Sequence, residues 1–243
     1  MTLESSEFSQ QIIKRDLLNL EYCYIPQGRF MRGPNRQPEI IQAPFYIGRF
    51  PVTKDLFLRF IADTNYDYSP LHRKIMDKLA PEPECPATPV SWWDAKYFIR
   101  WLRQVTGEYY SLPMEIEWEM AARGPNGIRY PWGEREPTDL HACLSLTKLR
   151  ECTDVVGTHP LGNSPFGCAD MAGNVWEWCL DQIDEENEIH VLRGGSAQDG
   201  PESCTTFSRT FSSPPTLRVN FAGFRVIYLP GQMFEQYCQA YAH

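Results

Sequence analysis

Apolar residues along this chain come in short bursts, and the period of the bursts changes several times. From Tyr24 to Gly33 apolar and polar side chains alternate as in a half-buried strand, with Gly28 marking a tight bend. Ala43–Gly48 reads as a second strand. After Val52 the period lengthens: Phe57, Phe60 and Ile61 share one helical face, and Thr53 is placed to cap it. Residues 63–88 are polar, proline-rich and aperiodic, which predicts a long surface excursion. A second helix is predicted from Ser91, with Asp94 three residues on as in a capping box and Ala95, Phe98, Ile99 and Leu102 as its buried stripe. A third is predicted from Pro113 to Arg123, with Glu115 and Glu117 at its positive end and Gly124 as its stop. From Pro125 to Gly167 the pattern predicts loop with short strands.

The two ends carry their own periodicity. Ile13, Leu17 and Leu20 fall at i, i+4 and i+7, which predicts an amphipathic helix over residues 1–21. Phe234, Tyr237, Cys238 and Tyr241 predict another over 230–243. The expected organisation is therefore a main domain over 22–229 flanked by two helices. Those helices either pack on their own domain or serve oligomerisation, as in a regulatory or scaffold subunit.

Composition supports a loop-rich fold built around large rings. Among 243 residues there are 20 Pro and 16 Gly, and aromatics make up 13%. A formal net charge of −8 argues against nucleic acid, whose phosphates require clustered Lys and Arg. No apolar run reaches membrane-spanning length, and the N-terminal residues lack the charged and apolar regions of a secretory signal, so a cytoplasmic protein with no membrane contact is expected. The eight cysteines include no Cys-x-x-Cys pair and are expected to be reduced thiols rather than zinc ligands or disulfides.

Candidate chemistry enters with three short motifs near the C-terminus: GNVWEW at Gly173–Trp178, LRGGS at Leu192–Ser196 and GFRV at Gly223–Val226. Upstream stand IPQGRFMRG at Ile25–Gly33, FPVTKDLFLRFI at Phe50–Ile61, PVSWWDA at Pro89–Ala95, LPMEIEWEMAARG at Leu112–Gly124 and YPWGE at Tyr130–Glu134. In this order they resemble the formylglycine-generating enzyme (sulfatase-modifying factor) family over roughly residues 22–229. The resemblance implies an α+β, C-type-lectin-like topology with little regular secondary structure. It also implies one structural calcium, held by Asp170, the carbonyls of Gly173 and Val175, and Glu177, hard oxygen donors of the kind calcium takes. Read from the residues alone, the same turn could use Asp170 and Glu177 merely to cap backbone N–H groups. A second calcium site of the family would fall near Cys143 and Lys148, which cannot serve.

The oxidases of that family hold Cu(I) between two cysteine thiolates, a soft metal on soft ligands. Counted from Ser196, those positions are Asp199 and Cys204. Ser196, Trp176 and Cys204 match, and the first thiol is a carboxylate, which argues against copper. A different metal on Asp199, Cys204 and His190 stays open, as does substitution by Cys168 or Cys179 through folding. The iron-dependent, hercynine-oxygenase-like relatives use clustered histidines, whereas the five here are scattered singly, which argues against iron.

The same scaffold also occurs as a non-catalytic binding module, including the variable proteins of diversity-generating retroelements. There the segment between GGS and GFR forms the ligand surface. Here that segment is Ala197–Ala222, rich in small polar and aromatic residues as in antibody loops. Its candidate ligand-binding residues are Gln198, Asp199, Glu202, Thr206, Phe207, Ser208, Arg209 and Phe211. The expectation is a recognition domain for a protein or peptide ligand. The alternatives are a divergent metal-dependent oxidoreductase, in which Cys204, Ser196, Trp176 and Asp199 would be catalytic, and the regulatory subunit above.

Overall fold

In the computed structural model of the chain, residues 13–146, 150–184, 186, 188–209 and 211–241 are described. The five-stranded sheet is antiparallel throughout and runs β1 (Ile13–Arg15), β2 (Glu21–Ile25), β5 (Phe45–Gly48), β11 (Ile227–Leu229), β6 (Tyr109–Ser111) in spatial order. A separate hairpin joins β3 (Gly28–Arg32) to β4 (Gln37–Ile41). A four-stranded sheet has the order β10 (Ala222–Gly223), β7 (Trp176–Asp184), β8 (Ile189–Arg193), β9 (Phe211–Ser213). Helices α1 (Lys54–Thr64), α2 (Pro70–Leu79), α3 (Trp92–Thr106), α4 (Glu115–Arg123) and α5 (Gln232–Ala240) complete the elements. The fold is α+β, as the family resemblance implies, and loop-rich, as the composition predicts.

The caps follow the predicted chemistry. Thr53 caps α1, and Ser91 with Asp94 closes a reciprocal capping box on α3. Helix α4 begins at Glu115, two residues later than predicted, with the Glu117 carboxylate accepting from Met114 N at 2.7 Å. Helix α5 forms as its spacing predicts and packs Met233, Phe234 and Tyr237 against the core.

Three expectations are corrected. The helix over residues 1–21 does not form where the chain is described: Ile13–Arg15 pairs with β2, Ile13 opposite Cys23, and residues 16–20 turn back. Asp16 decides this. Its Oδ1 accepts from Leu18 N and Leu20 N at 2.9 and 3.0 Å, and its Oδ2 from the hydroxyls of Tyr22 and Tyr110. An available sheet edge and a carboxylate pinning a turn outweigh three apolar residues at helical spacing. The segment is thus part of the main domain's sheet; residues 1–12 lie outside the described residues.

The excursion at 63–88 contains a helix, α2, which Ser69 caps through His72 N and Pro70 opens. Only Met76 and Leu79 of α2 are buried, too few to show as a periodic stripe. Between Pro125 and Gly167 the described residues form no strand, only the isolated bridge Tyr130–Gly133 and a short 3-10 turn at Pro160–Gly162.

What the fold does for function is to bring the three C-terminal motifs together. β10 runs parallel to β7 with Ala222 opposite Trp176 and Gly223 opposite Glu177, while β8 runs antiparallel with Arg193 opposite Glu177. GNVWEW is thereby flanked by GFRV on one side and LRGGS on the other.

Candidate functional site

Two buried arginines fasten this junction from beneath. Arg225 is fully buried and grips Glu177, Nε to Oε2 at 2.6 Å and Nη2 to Oε1 at 2.7 Å. Trp118 adds an indole donor to Oε2 at 2.8 Å, and Arg225 also donates to the carbonyls of Gly48, Arg49 and Ala169. Arg193, also fully buried, pairs with Glu115 at 3.0 Å and Glu119 at 2.8 Å. Its Nη2 donates to Thr206 O at 2.7 Å, which ties the segment after LRGGS to helix α4. Arg123 and Arg209 join the same pair of carboxylates, at 2.7 Å to Glu119 and 2.6 Å to Glu115. Paired and hydrogen-bonded charges of this kind are tolerated in a core because every carboxylate oxygen finds a donor.

Next to Trp176 lies a groove of about 400 Å³, lined among others by Trp176, Ser196, Asp199, Phe211, Asn220 and Phe221. Ser196 and Asp199 form a tight turn, Asp199 N donating to Ser196 O at 3.1 Å. The Asp199 Oδ2 accepts from Trp176 Nε1 at 2.8 Å, from Ser196 N at 3.0 Å and from the Ser196 hydroxyl. Phe211 leans on the Trp176 ring with centroids 5.4 Å apart.

Cys204 is not in the groove. It is fully buried with Ala142, Leu144 and Ala172, and its Sγ lies so close to Gly195 that a Cβ there would sit 2.5 Å away. Gly195 also has φ +74°, so both space and backbone require glycine. Burial, with the Asp199 charge second, pushes the Cys204 thiol up to about 12, so it is protonated.

The other predicted residues divide by exposure. Gln198, Glu202 and Arg209 are exposed, and Phe207 and Phe211 are half-buried. Thr206 and Ser208 are corrected as surface groups, because both are buried. The Thr206 hydroxyl turns inward to Ile128 O at 2.7 Å, since the loop is held down by Arg193. Ser203, Val219, Asn220 and Phe221 line the groove without having been singled out; all lie in Ala197–Ala222, and only tertiary packing distinguishes them.

His190 does not join Asp199 and Cys204. Its ring stacks on Trp92 at 4.1 Å and its Nε2 meets Gln182, while burial lowers its pKa. Cys168 and Cys179 belong to a different core cluster from Cys204. Among the described residues no group of three or more His, Cys, Asp or Glu is arranged to hold a metal.

At the calcium candidate, Asp170 Oδ2 accepts from Gly157 N at 2.7 Å, and burial raises the Asp170 pKa. No described backbone N–H donates to the carbonyl of Gly173 or Val175. Gly173 has φ +77°, and a Cβ there would meet Cys143 O at 2.3 Å. Both Glu177 oxygens already accept from Arg225, and Oε2 also from Trp118, so a hard cation at this turn would have to share that carboxylate. At the family's second position, Cys143 Sγ accepts from Arg150 Nη1 at 3.2 Å, and Lys148 lies outside the described residues.

The family model of the sulfatase-modifying factor enzyme 1-like domain matches residues 11–229. The chain belongs to that family. Among its relatives, the formylglycine-generating enzyme of Thermomonospora curvata is 29% identical, over 83% of this chain and 91% of its own length. Hercynine oxygenase of Mycobacterium tuberculosis is 29% identical over 79% of this chain, which spans only 55% of that relative. The inactive C-alpha-formylglycine-generating enzyme 2 of Bos taurus is 29% identical over 70% of each. Treponema denticola variable protein 1 shares the fold with a TM-score of 0.69 at 20% identity, over 90% of this chain and 99% of that one. The sulfatase-modifying factor domain thus includes both active and inactive members. No helix among the described residues is long and apolar enough to cross a membrane.

Proposed function

We propose that this sulfatase-modifying factor domain is a non-catalytic recognition module that takes a protein or peptide ligand in the groove over Trp176 and Phe211. The observation that carries the reading is a fully buried Cys204 set behind Gly195, outside the groove, with a carboxylate at the other position, Asp199, whose Oδ2 accepts from Trp176 and Ser196. Two-coordinate Cu(I) requires two thiolates, and this pair offers none in the groove. The inactive relative supports it as a precedent within the family. Anaerobic loading with Cu(I), followed by incubation with a cysteine-containing peptide and oxygen, tests it. The expected result is substoichiometric copper and unchanged peptide; copper-dependent oxidation of the cysteine would overturn it. Peptides selected on the protein by display are expected to compete for the groove and to lose binding on Phe211→Ala.

A structural calcium on Asp170, Gly173 O, Val175 O and Glu177 is proposed beneath this surface. Its chemistry would be charge compensation for the buried Asp170. A reducing, cytoplasmic setting is part of this reading and follows from the cysteine spacing, which contains no Cys-x-x-Cys pair.

A further inference from the structure

Asp199 also bears on what the groove recognises. Three donors converge on its Oδ2, so the carboxylate is held in one orientation. Its Oδ1 accepts from no described residue, and Asp199 is half-buried where it lines the groove. Beside it stand the rings of Trp176, which donates to it, and of the half-buried Phe211, while the remaining polar lining groups, Gln198, Ser203 and Asn220, are neutral. Among the described residues no lysine or arginine lines the groove. A fixed anionic oxygen next to aromatic faces is the environment that attracts a cation, through charge and through the ring quadrupole. The net charge of −8 adds long-range attraction for the same class.

The single available oxygen discriminates between cations. A guanidinium gains its advantage by binding both carboxylate oxygens at once, and Oδ2 is already saturated. A primary ammonium, a compact point charge, needs only one oxygen. We infer that the groove binds an aliphatic primary ammonium, the side chain of a lysine in the peptide ligand.

This rests on the recognition reading above but fails separately from it. The test uses the Trp176 indole N–H as reporter, because it donates to Asp199 itself. The full chain is titrated, by proton–nitrogen NMR, with N-acetyl-lysine methylamide, the arginine analogue and the uncharged norleucine analogue. The expected result is a saturable shift of the Trp176 indole signal with the lysine probe, at least tenfold weaker with norleucine and weaker with arginine. Asp199→Asn is close to isosteric and is expected to abolish the preference of lysine over norleucine. The wild-type probe series stands even if that variant misfolds. Equal binding of lysine and norleucine, tighter binding of arginine, or no shift with the lysine probe would overturn the inference. A display-selected peptide that occupies the groove without a lysine would also overturn it, while leaving the recognition reading intact.

Discussion

Cys204 and Arg193 can be tested without any ligand. With its thiol pushed up to about 12, Cys204 holds roughly one part in ten thousand as thiolate at pH 8. Alkylation by iodoacetamide is therefore expected to reach the exposed Cys238 first and to leave Cys204 unmodified until the protein unfolds, which peptide mass mapping would check. Fast native-state labelling of Cys204 would contradict the buried placement. Arg193 should be far less tolerant. Replacing it with Ala leaves Glu115 and Glu119 short of a buried partner and frees the Thr206 carbonyl. Breaking a buried pair in this way costs on the order of 3–5 kcal/mol, to be read from urea unfolding midpoints. The same variant should loosen the 204–209 loop and raise its amide exchange.

At the scale of elements, the C-terminal helix is coupled to pH through one carboxyl. Tyr237 of α5 donates to Glu117 Oε1 at 2.6 Å, and Phe234 stacks on Tyr109 with centroids 4.2 Å apart. Desolvation raises the Glu117 pKa to about 7, despite the Tyr237 and Met114 hydrogen bonds, and Asp181 adds a smaller raising effect. The folded value lies above the unfolded one, so the folded state favours the protonated form. Stability from this group is fully present below about pH 4.5 and is lost as pH rises toward 7, by up to about 3 kcal/mol. Glu117→Gln is expected to flatten that slope in unfolding measured from pH 5 to 8. An unchanged slope would remove Glu117 as its source.

Helices also show how far periodicity carries. Ser91 and Asp94 announce α3 because the cap is local chemistry and the buried stripe is dense. Helix α2 announces itself only through Ser69-Pro70, since it rests on the surface through Met76 and Leu79. The N-terminal stripe of Ile13, Leu17 and Leu20 misleads because it is read without the sheet edge that β2 presents and without Asp16, whose carboxylate serves the nearby Tyr22 and the sequence-distant Tyr110.

For the whole molecule, the calcium proposal makes the most direct prediction. If the ion binds only the folded state, adding excess calcium raises the melting temperature by mass action, about 2.7 kcal/mol at a hundredfold excess over Kd. Chelation by EGTA is expected to lower Tm in wild type but not in Asp170→Ala. Equal melting with calcium and with chelator in wild type would remove the proposal.

The chain's sequence alone determined the family and with it the scaffold, because glycines, caps and the GNVWEW, LRGGS and GFRV strings are local requirements written at fixed positions. It also marked Asp199 as standing where the oxidase resemblance places a thiol. The tertiary structure decided the rest. It turned Thr206 and Ser208 inward through the buried Arg193, placed Cys204 behind Gly195 rather than in the groove, and gathered Ser203, Asn220 and Phe221 beside Trp176. Which side of a loop faces solvent depends on partners tens of residues away, here Glu115 and Glu119 on α4, and no local pattern in Ala197–Ala222 contains them.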